Sequence, residues 1–160
     1  TLRDTPADLI SLKVGINVIN GDTMRERVFV PAVHGFLDTL REGQRDTPVV
    51  LISPIFCPSA ETTPGPTLPG ADGRFRTEPG HPRLRQGCLT LERVRELLAQ
   101  IVAERRAAGD GGLYYVDGLE LFGAADAGDL PDDLHPNPAG YRRMGERFAE
   151  ILARLGLVTA

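Results

Sequence analysis

Val49-Val50-Leu51-Ile52 is a run of four apolar residues, closed by Ser53-Pro54. A strand with no polar face must be covered on both sides, and such strands belong to parallel sheets flanked by helices. Upstream, residues 24–41 carry a helical period, with Phe29, Val33, Phe36, Leu37 and Leu40 on one face. Pro31 suits a first helical turn, so the regular helix is expected to begin near it, and Gly43 is its expected stop. Residues 8–14 read as another buried strand, with Ser11 inside it as a structural residue. It ends at Gly15-Ile16-Asn17 and is followed by the turn-rich Asn20-Gly21-Asp22.

Downstream, residues 54–88 are crowded with Pro and Gly and show no usable periodicity. A connection that long inside a compact domain is usually functional or mobile. Thr90 then caps a helix whose buried stripe is Leu91, Val94, Leu97, Leu98, Ile101 and Val102, with Glu92 favourable in its first turn and Gly109 at its end. Leu113-Tyr114-Tyr115-Val116 is a third strand, ending in a turn at Asp117-Gly118. Asn137 caps the last helix, Pro138 takes its first position, and Tyr141, Met144, Phe148, Ile151, Leu152 and Leu155 form its apolar face. Strands alternating with helices predict a single three-layer α/β/α domain across residues 1–160, with a parallel sheet and right-handed crossovers.

The chain has 160 residues, 41% of them hydrophobic and 25% charged, which suits one soluble domain with a real core. The net charge is -4 and the arginines are scattered, which argues against nucleic acid or an anionic membrane as partner. No apolar run approaches the roughly 18 residues of a membrane span. Cys57 and Cys88 read as two free buried thiols, with a disulfide between them as the alternative. Neither lies in a Cys-x-x-Cys pair, so zinc is not expected.

Ligands of a parallel sheet bind outside the carboxyl ends of its strands. The polar residues collect there: Asn17 after the first strand, Ser53 after the second, Asp117 after the third, and then Asp132-Asp133-Leu134-His135-Pro136 before the last helix. A carboxylate three residues before a histidine can fix the imidazole tautomer and leave the other ring nitrogen as a base. Plainer readings stand beside this one. Asp132 also suits an Asx turn, Asp133 a turn or a solvated position, and Asn17 an unusual backbone angle. Ser53 lacks the tight glycine turn that exposes a nucleophile and, with Gly15 and Asp117, is a pocket-lining candidate. His34 reads as structural and His81 as exposed. Arg74, Arg76, Arg83 and Arg85 suit either a solvated loop or an anionic substrate. Asp126, Asp129 and Asp132 lack the ordered spacing of a calcium loop.

Gly15-Ile16-Asn17 at a strand end, with Asp132-x-x-His135-Pro136 before the final helix, resembles the GDSL-type esterases and lipases of the SGNH hydrolase superfamily. The resemblance covers essentially the whole chain but only the later part of that family's domain. It implies a flavodoxin-like fold whose N-terminal strands lie upstream of Thr1, which would also cover an otherwise open sheet edge. His135 would be the general base, Asp132 its orienting acid and Asn17 an oxyanion-hole donor. Val18 stands where many members have Asp. The family's Gly-Asp-Ser block is absent, so no nucleophile is expected within this chain. The implied function of the intact protein is hydrolysis of a small-molecule ester through a serine acyl-enzyme, without metal or organic cofactor, and the segment alone should be inactive. The alternatives are acyl transfer to a sugar or natural-product hydroxyl, a non-catalytic binding module on the same fold, or a fragment whose open edge pairs with another chain.

Overall fold

In chain order the elements are β1 (Ile10–Lys13), α1 (Ile16–Asn20), α2 (Glu26–Gly43), β2 (Val49–Ile52), β3 (Thr67–Pro69), β4 (Phe75–Thr77), α3 (Leu91–Ala107), β5 (Leu113–Val116), α4 (Gly118–Leu121) and α5 (Pro138–Arg154). They come from a computed structural model that describes residues 1–158.

β2 is the centre of a three-stranded parallel sheet of order β1-β2-β5, in which Ile10 faces Val49 and Val49 faces Leu113. All four of its residues are buried. Val49 and Leu51 join Ile10, Leu12 and Leu113 in a core closed by α2 and α3. Val50 and Ile52 join Val116 in a second core closed by α4 and α5, with Phe122 and Leu130. The expected three layers are therefore present, and α3 and α5 start where the sequence places them. Thr90 Oγ1 accepts from the Arg93 amide, and Asn137 Oδ1 accepts from the Gly140 amide. Those bonds satisfy first-turn donors that a helix leaves free.

Several expectations need correction. β1 is covered on one face only: Ile10 and Leu12 are buried while Ser11 and Lys13 are exposed. α2 begins at Glu26, so Pro31 lies inside it and not in its first turn. The 54–88 connection is not structureless, because it contains the antiparallel hairpin β3–β4. Asp117-Gly118 is not a simple turn, since the Asp117 side chain caps α4 by accepting from Leu119 N. Both cysteines are free thiols, and only Cys57 is buried. No helix among the described residues is long and apolar enough to cross a membrane.

Candidate active site

The connection from Leu130 to α5 is built around one carboxylate. Asp132 Oδ1 accepts from the backbone amides of Leu134 at 3.0 Å and His135 at 2.7 Å. Asp132 Oδ2 lies 2.7 Å from His135 Nδ1. The Asx-turn reading and the imidazole-orienting reading are thus both satisfied, by different oxygens of one group. Partial burial pushes the Asp132 carboxyl up, but the His135 amide, the His135 ring and the Leu134 amide together outweigh it and hold it near 2. Ionised at neutral pH, the carboxylate only accepts, so in the neutral imidazole the proton sits on Nδ1 and the lone pair on Nε2. The His135 side chain is 60% exposed, so the imidazole is accessible from solvent.

Asp133, next in the turn, has φ +65°, a left-handed backbone that non-glycine residues seldom adopt. Its side chain is not merely solvated, because Arg74 Nη1 contacts both carboxylate oxygens at 3.2 and 3.3 Å. Leu134 packs against the α2–α3 core. Cys57 Sγ donates to the Asp133 carbonyl at 3.4 Å, and Phe75 N donates to the Asp132 carbonyl at 2.8 Å. The Phe75 ring meets the His135 ring at 5.4 Å, nearly edge-on at 83°.

Asn17 is exposed in α1, the short helix that follows β1. Gly15 precedes that helix with φ +112°, and an added Cβ would come within 2.7 Å of Val94 Cγ1 and 2.9 Å of Pro54 Cγ. Only glycine permits this close approach. Ile16 and Val18, on either side of Asn17, pack against the same core cluster as Leu134. Asn17 and His135 are therefore both presented outward by neighbours anchored in one core.

The other candidates have different work. Ser53 is fully buried. Its Oγ accepts from Gly118 N at 2.9 Å and from Tyr115 Oη at 3.1 Å. Beside it, the buried guanidinium of Arg95 pairs with both oxygens of Glu61 at 2.7 and 2.8 Å and donates to the Pro54 and Ile55 carbonyls. Burial pushes the Tyr115 phenol up, so it stays a proton donor. Asp117 edges a cleft beside Glu61 and Arg95. Gly15 edges a hollow beside Met24 and Phe29. Asp126 and Asp129 are engaged by Arg143, and Asp126 also by Arg147, which docks α5. Arg76 pairs with Asp72. His34 lies 3.8 Å from Glu104, and exposed His81 caps a 3-10 turn by accepting from Arg83 N. Among the described residues no group of His, Cys, Asp and Glu could hold a metal ion.

The β3–β4 hairpin and the Arg95 network lie outside what the periodicity of the sequence announces. Asp72-Gly73 is a hairpin-turn signal that could have located the hairpin. Arg95, four residues after Leu91, sits on the apolar stripe of α3, where a cation implies a buried partner.

The architecture is that of GDSL-type hydrolases. The chain belongs to the GDSL-like lipase/acylhydrolase family, whose model matches residues 1–143 and so includes both Asn17 and His135. Among solved structures it is similar to the salicylyl-acyltransferase SsfX3 from a tetracycline biosynthetic pathway. That pair shares 29% identity with a TM-score of 0.75, over 98% of this chain and 40% of that one. A GDSL-like lipase from Bacteroides ovatus shares 18% identity with a TM-score of 0.67, over 99% of this chain and 39% of that one. A peptidoglycan O-acetylesterase shares 18% identity with a TM-score of 0.59, over 96% and 39%. The chain thus spans about two fifths of the length of these structures. No curated protein matches the sequence.

Proposed function

We propose that this chain is the C-terminal major part of a GDSL-type acylhydrolase domain, and that the intact protein hydrolyses a small-molecule ester through a serine acyl-enzyme. The observation that carries this reading is the 2.7 Å contact of His135 Nδ1 with Asp132 Oδ2, beneath an exposed imidazole. His135 Nε2 takes the proton of an incoming hydroxyl and later returns it to the leaving alcohol. Asp132 holds the tautomer and stabilises the imidazolium without becoming protonated. The Asn17 amide donates to the oxyanion of the tetrahedral intermediate, a contribution of roughly 10²–10³ in kcat for one such donor.

In this proposal the serine lies on a strand preceding residue 1 that pairs with the open edge of β1. Two features support that placement. β1 is an edge strand, with no partner on its outer side among the described residues, and an apolar hollow of about 270 Å³ lies beside Val14, Gly15, Val18 and Met24. The segment 1–160 alone is then inactive.

Acyl transfer to a hydroxyl acceptor uses the same residues, and the 29% identity to a salicylyl-acyltransferase favours it as the second reading. Full-length protein assayed on a short p-nitrophenyl ester tests both. Ester cleavage lost in His135→Ala is the expected result, and a new ester formed with added alcohol would mark transfer. Cleavage undiminished in His135→Ala would overturn the assignment of the base.

A further inference from the structure

We infer that the β3–β4 hairpin is a clasp that fixes the base of the site, and that Phe75 is its positioning residue. The inference rests on the reading of His135 as the base. An exposed imidazole held by one hydrogen bond is free to swing, because the χ2 torsion of histidine is broad. Asp132 holds the Nδ1 side of this ring. The neighbour on the ring itself is Phe75, edge-on at 5.4 Å. The same residue reaches the orienting acid through its backbone, with Phe75 N donating to the Asp132 carbonyl at 2.8 Å. One residue therefore limits both members of the pair, by its ring and by its amide.

Phe75 is not explained as core packing. It belongs to neither apolar cluster and is only partly buried. Its neighbour Arg74 grips the Asp133 carboxylate, across the one left-handed residue of the turn. Backbone of that kind persists only where its surroundings over-determine it. The hairpin is in turn braced against the body of the domain. Thr77 Oγ1 donates to Ser59 Oγ at 3.2 Å, in the loop after β2. Arg76 pairs with Asp72 across the tip, and Gly70 N donates to the Arg74 carbonyl at 2.7 Å. Its other strand, β3, lies against α1, which carries Asn17. A two-stranded ribbon is marginal alone. This one touches the base turn on one side and the oxyanion helix on the other, so the distance between the two groups depends on it.

The test compares Phe75→Ala, Phe75→Leu and Phe75→Tyr in the full-length protein, with kcat and KM on a short p-nitrophenyl ester and the His135 Nδ1 proton followed by NMR. Phe75→Ala should lower kcat by about tenfold while KM moves less than about threefold, since misplacing a reacting group costs rate before binding. The Nδ1 proton resonance should broaden or vanish as the ring becomes mobile. Phe75→Tyr keeps the ring and should stay within about twofold of wild type, one aromatic contact being worth a factor of a few. If Phe75→Ala does not fold, Phe75→Leu decides by the same two readouts. A sharp, unshifted Nδ1 resonance in the folded variant, with kcat unchanged, would overturn the clasp. Should His135→Ala retain activity, the reading of the base fails, and the Nδ1 resonance alone then decides whether the hairpin holds the ring.

Discussion

Two polar clusters sit at the carboxyl ends of the strands, and they differ in what is left over. Around Ser53, Arg95 and Glu61 the polar groups are spent on one another and on the backbone of residues 54 and 55. Around Asp132 and His135 the carboxylate is spent, on two amides and one ring nitrogen, but the imidazole itself is mostly exposed. Both clusters contain residue types that carry catalysis elsewhere. A hydroxyl buried with its bonds satisfied is scaffold, whereas an imidazole anchored on one side and open on the other can take a proton. Removing a scaffold group should therefore cost stability, and removing the open group should cost rate.

The largest expected effect breaks the comparison if it fails. His135→Ala in the full-length protein should lower kcat by roughly 10³-fold or more. Its unfolding free energy should change by less than about 0.5 kcal/mol, because the side chain is mostly exposed. Arg95→Ala should do the reverse. It leaves Glu61 with its cation gone and two carbonyls unmet, for a loss of about 3–5 kcal/mol in urea denaturation. Residual folded protein should keep its rate. Ser53→Ala should follow in kind, at about 1–3 kcal/mol, for an unpaired Gly118 amide, while the Tyr115 hydroxyl keeps the Arg95 carbonyl.

The smallest effect is a pH dependence in the open cluster. The Asp132 carboxyl is held near 2, below its ordinary 3.8. A group lowered on folding stabilises the native state fully above its unfolded value and loses that contribution as pH falls. Stability should therefore drop by about 1–2 kcal/mol between about pH 4 and pH 2, the lower figure allowing for solvent screening at the partly exposed turn. Asp132→Asn should flatten that part of the curve.

How far this was legible in the sequence follows from how local each signal is. The unbroken Val49–Ile52 run announces a strand buried on both faces. Thr90 and Asn137 announce helix starts through hydrogen bonds to residues three positions on. Asp132 and His135 are three apart, so one turn brings them together. The rest depends on distant partners. Arg95 meets Glu61 across 34 positions, and the Arg74–Asp133 contact spans 59. Three-residue strands leave no period to read, so the hairpin that meets the site is not visible as strands in the sequence. Ser11 and Lys13 lie in a largely apolar run that reads as buried, yet both are exposed, and a run of residues does not tell whether a layer covers each face. Pro31 suits a first turn because it lacks a donor, yet five helical residues precede it.

Active-site labelling tests the central claim most directly. Full-length protein treated with a fluorophosphonate and mapped by mass spectrometry should carry one adduct, on a serine outside residues 1–160. The labelling rate should fall by roughly 10³-fold in His135→Ala, since the hydroxyl loses its base. An adduct on Ser53 or any other residue of this chain, or labelling of His135→Ala at the wild-type rate, would contradict the assignment of His135 and Asp132 as the base and its orienting acid.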